Sequence, residues 1–304
     1  KFELLFFLPH TERKAKARWW QAYRTLQIRQ NMKLITGIFG LTLLTFSACQ
    51  TNSKQSNSEQ NDLVFKDSIG HSISKSEIEN TTGQVNYEVM GNQNIDPKAQ
   101  ALHQEARQLG QTGKYDLSIT KLEEAIKIQP TWAYPTYDLA YTYLLKGDFD
   151  NALKFYKKTD ELEPKGFFTA KTAIYSLEGE KIGKFPKGLY TAYMQIEWTD
   201  DNKKKLEIAN TITQKVPDFA PAWKELANLL DDKTSRLKAI EQGLSKNPDA
   251  ETKGILLINK AVILDDNGKK EEAKTILGNL IFSSDVTTGN LELAKFTLKS
   301  LIKE

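Results

Sequence analysis

The sequence predicts an all-α fold: a stack of helical hairpins closed by a final helix. Three observations carry that reading. Two stretches superimpose at a spacing of 34 residues. With Pro130 set over Pro164, Gly113 falls on Gly147, Tyr115 on Phe149, Leu109 on Tyr143, Ala106 on Ala140 and Leu122 on Tyr156. A fixed period of this length marks repeated supersecondary units that bury their faces against one another. From Pro97 onward, apolar residues recur at three- and four-residue intervals, the helical period. Gly, Asp and Pro then break that pattern at the places where helices start and stop.

The first hairpin is expected from Leu102, Ala106 and Leu109 on one helix and Ile119, Leu122, Ala125 and Ile126 on the next. Gly113-Lys114 forms the turn and Pro130 the end. Gly suits such a turn because a left-handed residue there has no Cβ to clash. The second hairpin spans Thr131 to Pro164. After Pro217, Trp223, Leu226, Ala227 and Leu230 begin another, with a shortened loop at Asp231-Asp232-Lys233-Thr234. Leu257, Ala261, Leu264, Gly268, Ala273, Leu277 and Leu280 make a further unit. Leu189–Trp198 pairs with Lys205–Lys215 between them. Phe168–Glu178 reads as an additional helix without a partner of its own. Leu291–Lys303 is amphipathic and caps the last apolar face, as such stacks require.

The second hairpin carries Leu139, Ala140, Tyr143, Gly147, Phe149, Ala152, Tyr156 and Pro164 at set positions. In these residues it resembles the tetratricopeptide repeat family, with Thr136 in place of the usual Trp and Thr159 in place of the usual Ala. The resemblance covers roughly residues 97–285. It implies a right-handed solenoid that binds a protein or peptide along a concave groove lined by the first helix of each hairpin. Carried over residue by residue, it assigns Tyr134, Tyr137, Tyr141, Leu144 and Leu145 to that groove in the second unit. It adds Tyr190, Met194, Glu197 and Trp198 in the middle unit, and Gln100, His103, Arg107 and Gln111 in the first. An aromatic row with a Met suits peptides, because large rigid side chains bury much area at low entropic cost. The alternative is that some rings are core, or cover the helix that begins at Phe168. Some members of the family also hold a partner's C-terminal carboxylate with Lys and Asn of one unit and Asn of the next. Lys224, Asn228 and Asn259 stand at those positions. The third unit should add Lys and Arg, but Gly289 and Leu293 stand there, so the clamp is incomplete.

The segments before the repeats point to an export signal. Met32-Lys33 is followed by an apolar run from Leu34 to Phe46 and then Ser47-Ala48-Cys49. A positive charge, a short apolar core and a small-residue site are the parts of a secretory signal. The run is too short for a spanning helix, which needs about 20 residues. Small residues before Cys49 resemble the lipobox of bacterial lipoproteins, with Phe46 where the family prefers Leu. That resemblance implies lipid on Cys49, the one cysteine of the chain, and an envelope location, with Gln50 favouring the outer membrane. The expected organisation is therefore 1–31 upstream of the mature protein, 32–48 signal, 49–62 tether, 63–96 a small hairpin or loop, 97–285 repeats and 286–304 cap. Gln50–Asp62 is rich in Ser, Asn and Gln; about 13 residues of such coil reach a root-mean-square distance of about 20 Å. Val64-Phe65 and Val85–Val89 alternate like strands, and Ser74–Glu79 reads as one helical turn.

Charge and composition narrow the function. The chain carries +3. Residues 1–49 hold eight Lys/Arg and two acids, a net of +6, which leaves −3 for the remainder. The basic character therefore belongs to the leader, and no nucleic-acid partner is expected. His10, His71 and His103 lack metal-ligand spacing, and one cysteine cannot build a cysteine-rich zinc site. No Gly-rich phosphate loop or Gly-x-Ser-x-Gly is present. No catalytic residue, cofactor or metal is expected, and the Asp200-Asp201-Asn202 turn reads as a helix N-cap. The expectation is a membrane-anchored interaction scaffold for envelope assembly. Other readings are a soluble periplasmic peptide carrier, an accessory that docks an enzyme, and a carbohydrate binder using the Tyr and Trp rings.

Overall fold

The computed structural model describes residues 62–66, 72–73, 86–90 and 94–303. Cys49, the signal segment, the tether, His10, His71 and the turn expected at Ser74–Glu79 lie outside them. The first described elements are three strands: β1 (Asp62–Lys66), β2 (Ser72–Ile73) and β3 (Asn86–Met90). They form an antiparallel sheet in the order β2-β1-β3, with Phe65 opposite both Ile73 and Tyr87. The alternation at Val64-Phe65 lies on β1, and that of the second run, from Asn86 to Val89, on β3; Val85 lies outside the described residues. The two-residue β2 is too short to leave a pattern.

Twelve helices follow among the described residues: α1 (Pro97–Gln111), α2 (Tyr115–Ile128), α3 (Ala133–Lys146), α4 (Phe149–Leu162), α5 (Ala170–Lys181), α6 (Leu189–Trp198), α7 (Asn202–Lys215), α8 (Ala220–Leu229), α9 (Lys233–Leu244), α10 (Ala250–Asp266), α11 (Lys270–Ile281) and α12 (Thr288–Lys303). Five hairpins result, α1/α2, α3/α4, α6/α7, α8/α9 and α10/α11, packed in sequence with α5 between the second and the third. Helix α5 stands outside the pairing and α12 covers the last hairpin.

Local chemistry sets these boundaries. Asp96, Asp148, Asp201, Asp232 and Asp249 each accept first-turn amides with their carboxylates, which satisfies donors that have no intrahelical partner. Asp201 is therefore the N-cap expected from its turn. At Gly113 and Gly147 the backbone is left-handed, with φ of 74° and 82°. In both turns the next residue donates back over five positions, Lys114 to Leu109 and Asp148 to Tyr143. The 34-residue repeat is thus a repeat of hydrogen bonds as well as of residue types. The shortened α8–α9 loop has no glycine. There Arg236 Nε donates to the Ala227 carbonyl at 3.2 Å and satisfies the open end of α8.

Alanines let the helices approach. Ala106, Ala125, Ala140, Ala152, Ala209, Ala222, Ala261 and Ala273 are all without exposed surface. Large side chains fill the spaces between them, chiefly Tyr156, Tyr190, Phe219, Leu139 and Leu277. A C-terminal cluster joins Ile258, Leu264, Leu277 and Leu280 to Ala294 and Leu301 of α12, which is the capping role expected of that helix. No helix among the described residues is long and apolar enough to cross a membrane.

Candidate interaction surface

The aromatic row expected to line a groove is core. Tyr137 is 7 % exposed, Tyr141 2 %, Tyr190 0 % and Trp198 5 %. Leu144, Leu145 and Met194 are buried with them. Two packing events cause this. Helices α3 and α6 come together so that Trp198 Nε1 donates to the Tyr141 hydroxyl at 2.8 Å. The chain between α4 and α5 then lays two rings on α3. Phe167 stands 4.8 Å from Tyr134 and 5.7 Å from Tyr137, ring centre to ring centre; Phe168 stands 5.4 and 5.2 Å from the same two. Phe168 holds φ at 48°, which is uncommon for a bulky residue, and that turn brings both rings onto α3. The Tyr137 hydroxyl meets Thr169 Oγ1 at 2.9 Å. Tyr134 is half-buried at the edge of this cluster. Burial pushes the phenols of Tyr141, Tyr156, Tyr190 and Tyr193 well above their ordinary value, so all stay neutral.

The first unit is similarly committed. His103 is buried, with Nε2 2.7 Å from Asp138 Oδ2, and its ring stands edge-on to Trp132 at 4.8 Å. Arg107 Nε lies 3.6 Å from the same carboxylate. These two residues tie α1 to α3 instead of facing a partner. Gln100 is exposed and Gln111 half-exposed.

The later units differ. Helices α6, α8 and α10 carry a row of solvent-reachable polar side chains: Glu197, Lys224, Glu225, Asn228 and Asn259. Asn259 Nδ2 donates to Asn228 Oδ1 at 2.8 Å, so the amides of neighbouring hairpins join. Lys224 Nζ is 2.7 Å from Glu225 Oε1 and 5.9 Å from the centre of the Tyr193 ring. The Tyr193 hydroxyl donates to Glu225 at 2.9 Å. Burial and the charge of Glu225 push the Glu197 carboxyl up to about 7, against Lys224 and Lys205. Burial pulls the Lys224 ammonium down, but Glu225, Glu197 and Asp249 outweigh it and the net shift is upward.

This geometry corrects the carboxylate-clamp expectation. The three aligned residues do come together, but Lys224 is already neutralised by Glu225 and has Glu197 beside it. An incoming carboxylate would have to compete with Glu225 for that ammonium. Gly289 and Leu293 sit within α12, Gly289 buried and Leu293 half-buried. Sequence reasoning missed Glu225 because the groove pattern assigns no role to its position. Among the described residues no group of acids, His and Cys is arranged to hold a metal.

Residues 137–165, from within α3 to just past α4, match the tetratricopeptide repeat family model. In that stretch the chain is similar to a tetratricopeptide repeat. The match falls on the unit whose Leu139, Ala140, Tyr143, Gly147, Ala152, Tyr156 and Pro164 are spaced as that family spaces them. Solved structures similar to this chain include MamA from Desulfovibrio magneticus RS-1, with 14 % identity over 66 % of this chain and 97 % of that one, at a TM-score of 0.30. The thermophilic tetratricopeptide repeat protein TTC0263 of Thermus thermophilus shares 18 % identity over 67 % and 99 %, at 0.30. The TPR2AB-domain:pHSP90 complex of yeast Sti1 shares 13 % over 68 % and 86 %, at 0.31. No curated protein matches in sequence. Around that stretch the described residues build four further hairpins, so the chain from Pro97 onward is an all-α stack of helical hairpins.

Proposed function

We propose that this chain is an interaction scaffold that holds a segment of a partner protein, and that its binding face is the polar row of α6, α8 and α10. The observation that carries the reading is the contrast within the first helices of the hairpins. The aromatic positions are filled from within, whereas Glu197, Lys224, Glu225, Asn228 and Asn259 remain within reach of solvent on three successive hairpins. A row that crosses hairpins suits an extended chain better than a compact small molecule. Its two amides and its Lys224–Glu225 pair, which balances its own charge, favour a polar segment that hydrogen-bonds to the row. Burial of Tyr137, Tyr141, Tyr190 and Trp198 removes the basis of the carbohydrate reading, since a sugar cannot stack on a covered ring.

The location belongs to the same proposal. Lipid on Cys49 would hold the scaffold at an envelope membrane, and the Gln50–Asp62 tether would lift it clear of the bilayer. The partner would then be another envelope protein. A photo-crosslinking residue placed at Asn228 tests the face: it should capture a discrete partner in intact cells, whereas one at the exposed Lys127 should not. Capture at both positions, or at neither, would sink the assignment. Cys49→Ala tests the anchor by moving the protein from the membrane fraction to the soluble one.

A further inference from the structure

Helix α5 is capped by a residue from the far end of the stack. Its own N-cap, Thr169, makes no capping bond with its side chain, because its hydroxyl meets Tyr137. Instead the Glu251 carboxylate, in the first turn of α10, accepts the first-turn amides of α5. Lys171 N donates to Oε1 at 3.2 Å and Thr172 N to Oε2 at 3.0 Å. Around this contact the C-terminal units close on the segment before α5. Thr288 N donates to the Lys165 carbonyl at 2.7 Å, and Lys165 Nζ to the Ser284 carbonyl at 2.8 Å. Asn290 Nδ2 donates to the Ala250 and Glu251 carbonyls at 3.2 and 3.0 Å. A stack in which each hairpin touches only its neighbours has no such bridge.

The junction contains one proton too few for two ionised carboxylates. Thr172 Oγ1 lies 3.0 Å from Asp249 Oδ1 and 3.0 Å from Glu251 Oε2. A hydroxyl has a single hydrogen and can donate to only one of them. With both carboxylates charged, the second contact sets two electron-rich oxygens against each other. With one carboxyl protonated, both contacts become hydrogen bonds: the acid donates to Thr172, and Thr172 donates to the other carboxylate. Asp249 has its oxygens committed as acceptors, since it also accepts Glu251 N, Thr252 N and Thr252 Oγ1. Glu251 is therefore the acid. Burial, with the Asp249 charge second, pushes its carboxyl up to about 8, against the bonds from Thr172 and Lys171.

We propose that Glu251, Thr172 and Asp249 form a proton-dependent latch that fastens the C-terminal hairpins to α5. The other charged groups around it are occupied. Lys171 Nζ turns away to Asp160 of α4 at 2.6 Å, Lys165 Nζ is on Ser284, and Lys253 pairs with Asp285 at 3.1 Å. From α3 the junction faces the neutral Tyr137, and from α5 Tyr175. From α6 and α8, Tyr193 and Lys224 stand in electrostatic reach of Asp249, and Glu225 holds both of them. Helix α12 and its approach contribute Thr287, Thr288 and Asn290, none of which titrates.

The sign follows from a carboxyl whose pKa is higher closed than open. The latch is at full strength below the ordinary glutamate value of about 4.3. It weakens by up to tenfold per pH unit as pH rises towards about 8, where Glu251 ionises in place and the loss levels off. The latch rests on these contacts alone and does not depend on the proposed function.

Amide hydrogen exchange of the full chain at pH 5 to 9, corrected for intrinsic rates, tests it. Protection of Lys171 and Thr172 should fall over that range, by up to tenfold per unit below pH 8. Glu251→Gln should remove the slope, because a carboxamide does not titrate; with Nε2 donating to Thr172 Oγ1 it keeps the bond from Lys171 N to Oε1 but gives up the one from Thr172 N, so protection of Lys171 stays and that of Thr172 is lower at every pH. A flat wild-type profile, or a variant that follows the wild type, overturns the latch. Carbon-13 titration of the Glu251 carboxyl in the wild type needs no substitution. A midpoint near 8 supports the latch, and a midpoint near the ordinary value refutes it.

Discussion

The second and fourth hairpins use the same positions of their first helices for opposite ends. The fifth and ninth residues of α3 are Tyr137 and Tyr141; those of α8 are Lys224 and Asn228. The tyrosines are 7 % and 2 % exposed, while the Lys224 side chain keeps 16 % and Asn228 is exposed. What separates them is the neighbour. Phe167 and Phe168 are laid over Tyr137 by the chain that leads into α5, Trp198 of α6 meets Tyr141, and no inserted helix covers α8. A repeat position is thus a place on a surface, and whether that surface meets solvent depends on what the chain inserts beside it.

The largest effect should come from uncovering α3. Phe167→Ala removes a ring that is 2 % exposed and touches both Tyr134 and Tyr137. It should cost about 3–5 kcal/mol in urea unfolding. A loss below about 1 kcal/mol would mean that the ring only rests on the surface. Next, Gly254→Ala tests the closure at the other end. A Cβ there would meet Asn290 Nδ2 at 2.0 Å and Asn290 Cβ at 2.8 Å, so the whole side chain must leave its two carbonyls. About 1–3 kcal/mol should be lost.

The repeat itself was legible because it depends on local chemistry. Pro130 and Pro164, Gly113 and Gly147, and the alanines between them each act within one hairpin, so the 34-residue spacing displays them. Leu189–Trp198 was read to the residue. The cover over α3 was not legible. Phe167-Phe168 was visible as sequence, and the helix after it was visible as unpartnered, but which face they cover depends on contacts across hairpins. The junction at Glu251 was further out of reach. It joins residues about 80 positions apart and obeys no period. The groove positions taken from the family failed at Tyr137 because Phe167 and Phe168 cover it, and at Tyr141 and Trp198 because α3 and α6 bury them against each other.

Smaller effects sharpen the same contrast. Trp198→Phe removes the indole N–H from the Tyr141 hydroxyl and three ring atoms from a buried site. It should cost about 1–2 kcal/mol by thermal or urea unfolding. On the polar row, Glu197 has its carboxyl raised to about 7 by burial and Glu225, so its contribution is complete below about 4.3 and lost as pH rises to about 7. Glu197→Gln should therefore reduce the fall in Tm between pH 5 and pH 7, and an unchanged fall would place the proton elsewhere. Asn228→Ala should be the mildest. It should shift stability by no more than about 0.5 kcal/mol, as surface changes do, while lowering partner capture.

The division into a filled half and an open half can be read most directly from cysteine reactivity. With Cys49→Ala the chain has no cysteine of its own, so Tyr141→Cys and Asn228→Cys each report a single site. Maleimide labelling under native conditions should be fast at position 228, near the rate of the unfolded chain, and slower by about a hundredfold or more at 141, where reaction waits on opening of the core. Equal rates at the two positions would contradict the account, because they would place the aromatic row in the same open groove as the polar one.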